Sequence, residues 1–149
     1  MSVLKLQIPI RKLKKSDYNK KYLNLLEQLT DCPQLSLTQF ESIYEQLSEN
    51  HSIYVIEKDN IIVTTITLMR EVKFIHGGKY VLHIEDVVVD KNYRGLGYGK
   101  KILQHALQYA KDNTCYKIIL NCALECEHFY HKLGFKSKNI EMSQYLSMG

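Results

Sequence analysis

Val87-Val88-Val89-Asp90-Lys91-Asn92-Tyr93-Arg94-Gly95-Leu96-Gly97-Tyr98-Gly99-Lys100 joins a run of valines to three glycines at alternate positions, and an amphipathic stretch follows. Consecutive β-branched residues predict a strand buried on both faces. Ile102, Leu103, Ala106, Leu107 and Ala110 recur at helical spacing, which predicts a helix from about Gly99 to Asp112. Between the two, glycines let the main chain curl so that successive N–H groups point at one anion. The new helix adds its free N–H groups and the positive end of its dipole. Together these make a pyrophosphate cradle, with Arg94 and Lys100 available to add charge. A P-loop would need Ser or Thr after Gly99-Lys100, where Lys101 stands. A dinucleotide fingerprint would need its last glycine three residues after the second, and here the glycines fall at 95, 97 and 99.

On the N-terminal side, Leu4, Leu6, Ile8 and Ile10 alternate with Val3, Lys5, Gln7 and Pro9 and predict an opening strand. Ser16 is a candidate N-cap for a helix carrying Tyr22, Leu25, Leu26 and Leu29 on one face, broken by Asp31-Cys32-Pro33. Thr38-Gln39-Phe40-Glu41 has capping-box spacing and opens a second helix through Ile43, Tyr44 and Leu47. Ser52 to Glu57 and Ile61 to Leu68 read as strands joined by an Asp59-Asn60 turn, and Tyr80 to Val89 as a third strand after Gly77-Gly78. Past the helix, Lys117 to Leu120 reads as a strand, and Glu125 to Leu133 as a helix closed by Gly134. Phe135 to Met142 reads as a last strand. The order β-α-α-β-β-β-α-β-α-β predicts an α/β (α+β) fold with a mixed central sheet and helices on both faces.

The 149 residues fit one domain, 1-149, without internal repeat or linker. Hydrophobic residues at 45% and charged residues at 24% are those of a globular chain rather than a disordered one. No apolar run is long enough for a membrane span, and the start lacks a signal-peptide pattern, so a cytoplasmic protein is expected. Cys32, Cys115, Cys122 and Cys126 then read as free thiols. No second Cys or His pair completes a zinc pattern around Cys122 and Cys126, so no metal is expected. The net charge of +4 is spread along the chain. The one tight cluster, Arg11-Lys12-Leu13-Lys14-Lys15, reads as a solvated strand end rather than a nucleic-acid stripe.

Arg94-Gly95-Leu96-Gly97-Tyr98-Gly99 resembles the R/Q-x-x-G-x-G/A signature of the GNAT superfamily of N-acetyltransferases. Nearly the whole chain is similar to the glucosamine 6-phosphate N-acetyltransferases within it. Lys73-Phe74-Ile75-His76, His83-Ile84-Glu85-Asp86-Val87-Val88-Val89, Cys115-Tyr116-Lys117-Ile118-Ile119-Leu120-Asn121-Cys122 and Phe129-Tyr130-His131-Lys132-Leu133-Gly134-Phe135 carry that similarity. The resemblance implies a GNAT fold, acetyl-CoA as co-substrate, and a 2-amino sugar phosphate whose amine attacks the thioester directly in a ternary complex. It implies a homodimer with the C-terminal strand region near the interface, serving UDP-N-acetylglucosamine biosynthesis. It places the coenzyme on Val87, Val88, Val89, Arg94, Gly95, Leu96, Gly97, Tyr98, Gly99 and Lys100, and Tyr130 at its sulfur.

By the same resemblance, Tyr130 is the acid for the departing thiolate, while Phe129 fills a core position. Glu85 and Asp86 belong to the sugar site, and alternation along a strand puts at least one of them inward unless a bulge intervenes. Lys73 and His76 hold the sugar phosphate or hydroxyls, and Thr30 carries over at the end of the first helix. Three positions depart from the family. Asn121 stands for a usual Asp and accepts a hydrogen bond from the amine without taking its proton. Cys126 stands for an Asn that contacts the coenzyme. Met142-Ser143-Gln144-Tyr145 lacks an Arg near the phosphate. Cys126 and His128 lie two apart, an offset that turns their side chains apart on a helix. Two other readings stay open: transfer to another amine, such as a polyamine or peptide, and a non-catalytic acetyl-CoA sensor.

Overall fold

A computed structural model describes residues 8–147. Five strands form one sheet in sequence order: β1 (Arg11–Lys12), β2 (His51–Lys58), β3 (Ile61–Glu71), β4 (Tyr80–Val89) and β5 (Cys115–Leu120). Neighbours run antiparallel except β4 and β5, which are parallel and joined through α3 (Tyr98–Asp112). The β2–β3 hairpin turns at Asp59-Asn60, both at positive φ (52° and 64°), as a two-residue loop that matches strand twist requires.

Alternation along the strands builds a core on each face. Ile56, Ile66, Leu68, Leu82 and Ile84 meet Ile102, Leu103, Ala106 and Ala110 of α3. On the other face Val55, Ile62 and Val88 meet Tyr22, Leu23 and Leu25 of α1 (Tyr22–Glu27) and Phe40 of α2 (Leu37–Tyr44). This is the mixed sheet with helices on both sides that the sequence predicts.

Several boundaries differ from expectation. Val3 to Gln7 of the predicted opening strand lie outside the described residues. Ile8 and Ile10 pack on the core, but strand pairing begins at Arg11. Ser16 caps nothing: a 3-10 turn (Lys15–Lys20) precedes α1, and Lys21 breaks the two apart at φ 59°. Ser36, not Thr38, caps α2, its side chain accepting from Gln39 N–H while the Gln39 side chain takes the Ser36 N–H. That helix ends at Tyr44, leaving Leu47 beyond it. The fourth helix is split into a 3-10 turn (Leu124–Cys126) and α4 (Glu127–Lys132), with Gly134 at φ 94° beyond. Phe135 to Met142 is not a strand; Ile140 and Met142 are about nine-tenths exposed, with nothing among the described residues for them to pair with.

The basic cluster is solvated at Lys12, Lys14 and Lys15, which are exposed, but Arg11 is engaged. Asp17, fully buried, takes both forks of the Arg11 guanidinium at 2.8 Å and the Lys14 N–H at 2.8 Å. Glu57 takes Arg11 at 2.7 Å and Lys20 at 2.9 Å. Leu13 beside them is buried. Removing one partner of such a pair strands the other charge. Asp17→Ala is expected to cost about 2–3 kcal/mol, read as a lowered urea midpoint with unchanged m-value; an unshifted midpoint would show the network carries no stability.

His105 of α3 stacks on Tyr54 of β2, ring centroids 4.4 Å apart, with its Nε2 buried and unpartnered. Burial lowers its pKa from the ordinary 6.5. As the pH falls below that value the unfolded chain takes up a proton that folded His105 refuses, so stability falls until the folded ring also titrates. Urea unfolding at a series of pH values between about 7 and 5 is expected to show this slope, and His105→Leu to flatten it. An equally steep slope in the variant would assign the titration elsewhere.

Candidate active site

Strands β4 and β5 pair only from Tyr80/Cys115 to Ile84/Leu120. Beyond that level β4 runs on to Val89 beside β3 alone, so its other backbone edge has no strand partner among the described residues. The parting coincides with a bulge. Thr65 pairs Val88 and Thr67 pairs Glu85, so Ile66 faces both Asp86 and Val87. Asp86 takes up the extra residue at φ 48°, a left-handed conformation that Asp tolerates better than most residues.

The bulge settles the two acids. Glu85 and Asp86 are both exposed, so neither points into the core. Asp86 lies close enough to the buried Tyr22 phenol for its charge to help burial raise that group to about 12; the Tyr22 hydroxyl sits 3.3 Å from Thr65 Oγ1. The valines also differ from expectation. Val88 is buried under α1, while Val87 and Val89 are half-buried on the α3 side, because the sheet is only part-covered where β5 has left it.

The cradle follows immediately. Arg94 folds back and donates from Nε to the Val89 carbonyl at 3.1 Å. Gly95 and Gly97 sit at φ 77° and 90°, where a Cβ meets open space, so backbone conformation is what demands glycine. Gly99 carries no such demand: a Cβ there would lie 3.4 Å from the Phe129 ring and 3.6 Å from Val89, ordinary contact distances. Gly97 is the N-cap of α3 and supplies no side-chain cap, and the first helical bond is from Lys101 N–H to the Gly97 carbonyl. The N–H groups of Tyr98, Gly99 and Lys100 therefore stand outside the helix ladder with the dipole behind them. Leu96 and Lys100 are exposed; the Tyr98 side chain is buried against Tyr93 and belongs to the core, so only its N–H faces the cradle. This donor set suits the diphosphate of a coenzyme A chain.

Tyr130 of α4 is half-buried, edge-on to Phe129 (5.1 Å) and Phe135 (5.9 Å). The expected division of labour is reversed: Tyr130 packs on the core, and Phe129 is 39% exposed beside Gly99. Burial first, then the neighbouring Cys122 and Cys126 thiols, push the Tyr130 phenol up to about 12. Asn121 is exposed directly after Leu120, at the level where the strands part, and so belongs with Glu85. Cys126 is exposed just before α4.

Thr30, exposed past α1, lies near the start of the cradle loop, where Gln28 bonds both Asp90 Oδ2 and the Lys91 N–H. His76 is not brought to the acids. It stacks on Tyr116 at 4.1 Å, at the β5 end that pairs with Tyr80 rather than with Ile84. Lys73 is bound to Glu71 at 3.3 Å, and Glu71 to His83 at 2.9 Å. Neither Glu71 nor His83 received a role in the sequence reading, although His83 opens one of the similar segments; the alternation His83-Ile84-Glu85 put His83 on the Glu85 side and could have singled it out. Among the described residues no group of three or more His, Cys, Asp or Glu could hold a metal ion, and no helix is long and apolar enough to cross a membrane.

Residues 16–135 match the model of the acetyltransferase (GNAT) family. A glucosamine 6-phosphate N-acetyltransferase of Arabidopsis thaliana is 39% identical over 141 residues, 91% of this chain and 95% of that one. The same-named protein of Candida albicans is 38% identical over 136 residues, 89% of this chain and 91% of its own. The crystal structure of the Arabidopsis enzyme superposes with a TM-score of 0.90 at 38% identity, covering 93% of this chain and 98% of the other. By its cradle, its parted strands and this likeness, the chain belongs to the acetyltransferase (GNAT) family.

Proposed function

We propose that the protein transfers the acetyl group of acetyl-CoA to the 2-amino group of D-glucosamine 6-phosphate, giving N-acetylglucosamine 6-phosphate and CoA in the cytoplasm. The observation that carries the reading is the gap between β4 and β5, with free helix N–H groups at one end and Glu85, Asp86 and Asn121 at its apex. The likeness to relatives that bear this activity in their names supports the choice of acceptor.

The coenzyme supplies an activated thioester. Tyr98, Gly99 and Lys100 N–H groups hold its diphosphate, with the exposed Lys100 side chain adding charge. The edge of β4 from Val87 to Val89, which lacks a strand partner, offers backbone groups along the gap, apart from the Val89 carbonyl that Arg94 holds. A 2-amino sugar amine is less basic than lysine, since neighbouring oxygens withdraw electrons, so its neutral form is accessible near pH 7. Asn121 accepts a hydrogen bond from it and orients its lone pair. Glu85 and Asp86, both open to water, are placed to receive the proton that is lost. Tyr130, held protonated by burial at about 12, donates a hydrogen bond toward the sulfur as charge builds there.

A homodimer completes the picture. Val72, Phe74 and Ile75 of the β3–β4 loop and Ile140, Met142, Tyr145 and Leu146 of the tail are exposed apolar side chains that a second copy would cover. The tail then meets a second copy, and amino-sugar nucleotide synthesis is the route served.

Thiol release from acetyl-CoA is expected with glucosamine 6-phosphate and not with spermidine. Activity on spermidine alone would leave the family standing and remove the acceptor. Tyr130→Phe is expected to lower kcat by about 100-fold with little change in KM for either substrate; an unchanged kcat would exclude it as the acid.

A further inference from the structure

Glu71, His83 and Lys73 form a cluster that neither the fold nor the reaction above explains. The register from Thr67/Glu85 to Glu71/Val81 is unbroken. Leu68, Leu82 and Ile84 point into the α3 core, so Thr67, Met69, Glu71, His83 and Glu85 share the opposite face. Here α1 and α2 no longer cover the sheet: Met69 is 42% exposed, and Glu71 and Glu85 are exposed. On this floor the two oxygens of Glu71 are divided, one to His83 Nε2 at 2.9 Å and one to Lys73 Nζ at 3.3 Å. His83 is the next residue along the face from Glu85, about 6–7 Å away by strand geometry.

Lys73 is out of character with its loop. Val72, Phe74 and Ile75 around it are largely exposed, whereas its own side chain is only 31% exposed and turned back over the strands. Ion pairs this open contribute little to stability. What the arrangement fixes is direction, because a free lysine has four rotatable bonds and no preferred end point. Glu71 occupies one of the three ammonium donors and leaves two for an incoming anion.

We infer that Glu71, steadied by His83, is a positioning residue that holds the Lys73 ammonium over the β3–β4 face at the level of His83, on the same face as Glu85, where it selects acceptors bearing a phosphate. This rests on the reading of the acceptor given above. Its distinctive consequence is that Glu71 acts only through Lys73.

A double-mutant cycle tests it on the full chain, with KM and kcat for glucosamine 6-phosphate and for unphosphorylated glucosamine, and thermal melting as a check of folding. Glu71→Gln is expected to raise KM for the phosphosugar about tenfold, with kcat and the KM for acetyl-CoA within about twofold of wild type. It is expected to leave kcat/KM for glucosamine unchanged. In a Lys73→Ala background the same substitution is expected to do nothing further. Additive losses in the cycle, or an equal loss on both sugars, would overturn the inference while leaving the acceptor intact. A wild-type enzyme with no preference for the phosphorylated sugar would overturn the acceptor and this inference together. Should Glu71→Gln melt markedly lower, His83→Gln, which keeps a donor near Glu71 but drops the ring, runs the same cycle; additivity there overturns the inference equally.

Discussion

One extra residue in β4 governs the geometry of the site. Without Asp86 at positive φ, the strand would stay in phase with β3 from Tyr80 to Val89, and its alternation would carry an acidic side chain into the α3 core. A buried carboxylate lacking partners is strongly disfavoured. The bulge resets the phase, so that Ile84 before it and Val87 after it both serve the α3 side while the two acids stay in water. It also sits where β5 leaves β4. The local twist that a bulge adds is consistent with the two strands separating there.

Much of this was legible in the residues because it rests on short-range rules. The Asp59-Asn60 turn, the α3 periodicity and the glycines at 95 and 97 each state their local demand directly. Glycine identity did not separate required from unrequired positions, however. Gly97 is required by φ, whereas a Cβ on Gly99 would make only ordinary contact with Phe129, thirty residues away in the chain. The bulge was anticipated only as an exception, since nothing in Ile84-Glu85-Asp86-Val87 marks which residue is the surplus one.

The errors share a cause as well. Phe135 to Met142 alternates well enough for a strand, but a strand needs a neighbour, and periodicity cannot supply one. Ser16 and Thr38 are good capping residues placed five and two positions from the N-caps of α1 and α2; Asp17 is drawn instead to Arg11, and Ser36 wins the α2 cap. Phe129 was expected to fill the core position and is 39% exposed, while edge-on packing with Phe135 half-buries Tyr130. His83 was passed over because the acids beside it drew the attention of any charge-based reading.

Helix α3 begins without a side-chain cap, its leading N–H groups turned to an open cradle. Most helices close that end internally with a Ser, Thr, Asp or Asn. Here folding leaves hydrogen-bonding capacity unsatisfied, and a ligand that binds only the folded chain completes it. Occupancy and stability are then linked by mass action. On the function proposed above, that ligand is the coenzyme, and the stability of the folded chain rises with coenzyme concentration above its Kd.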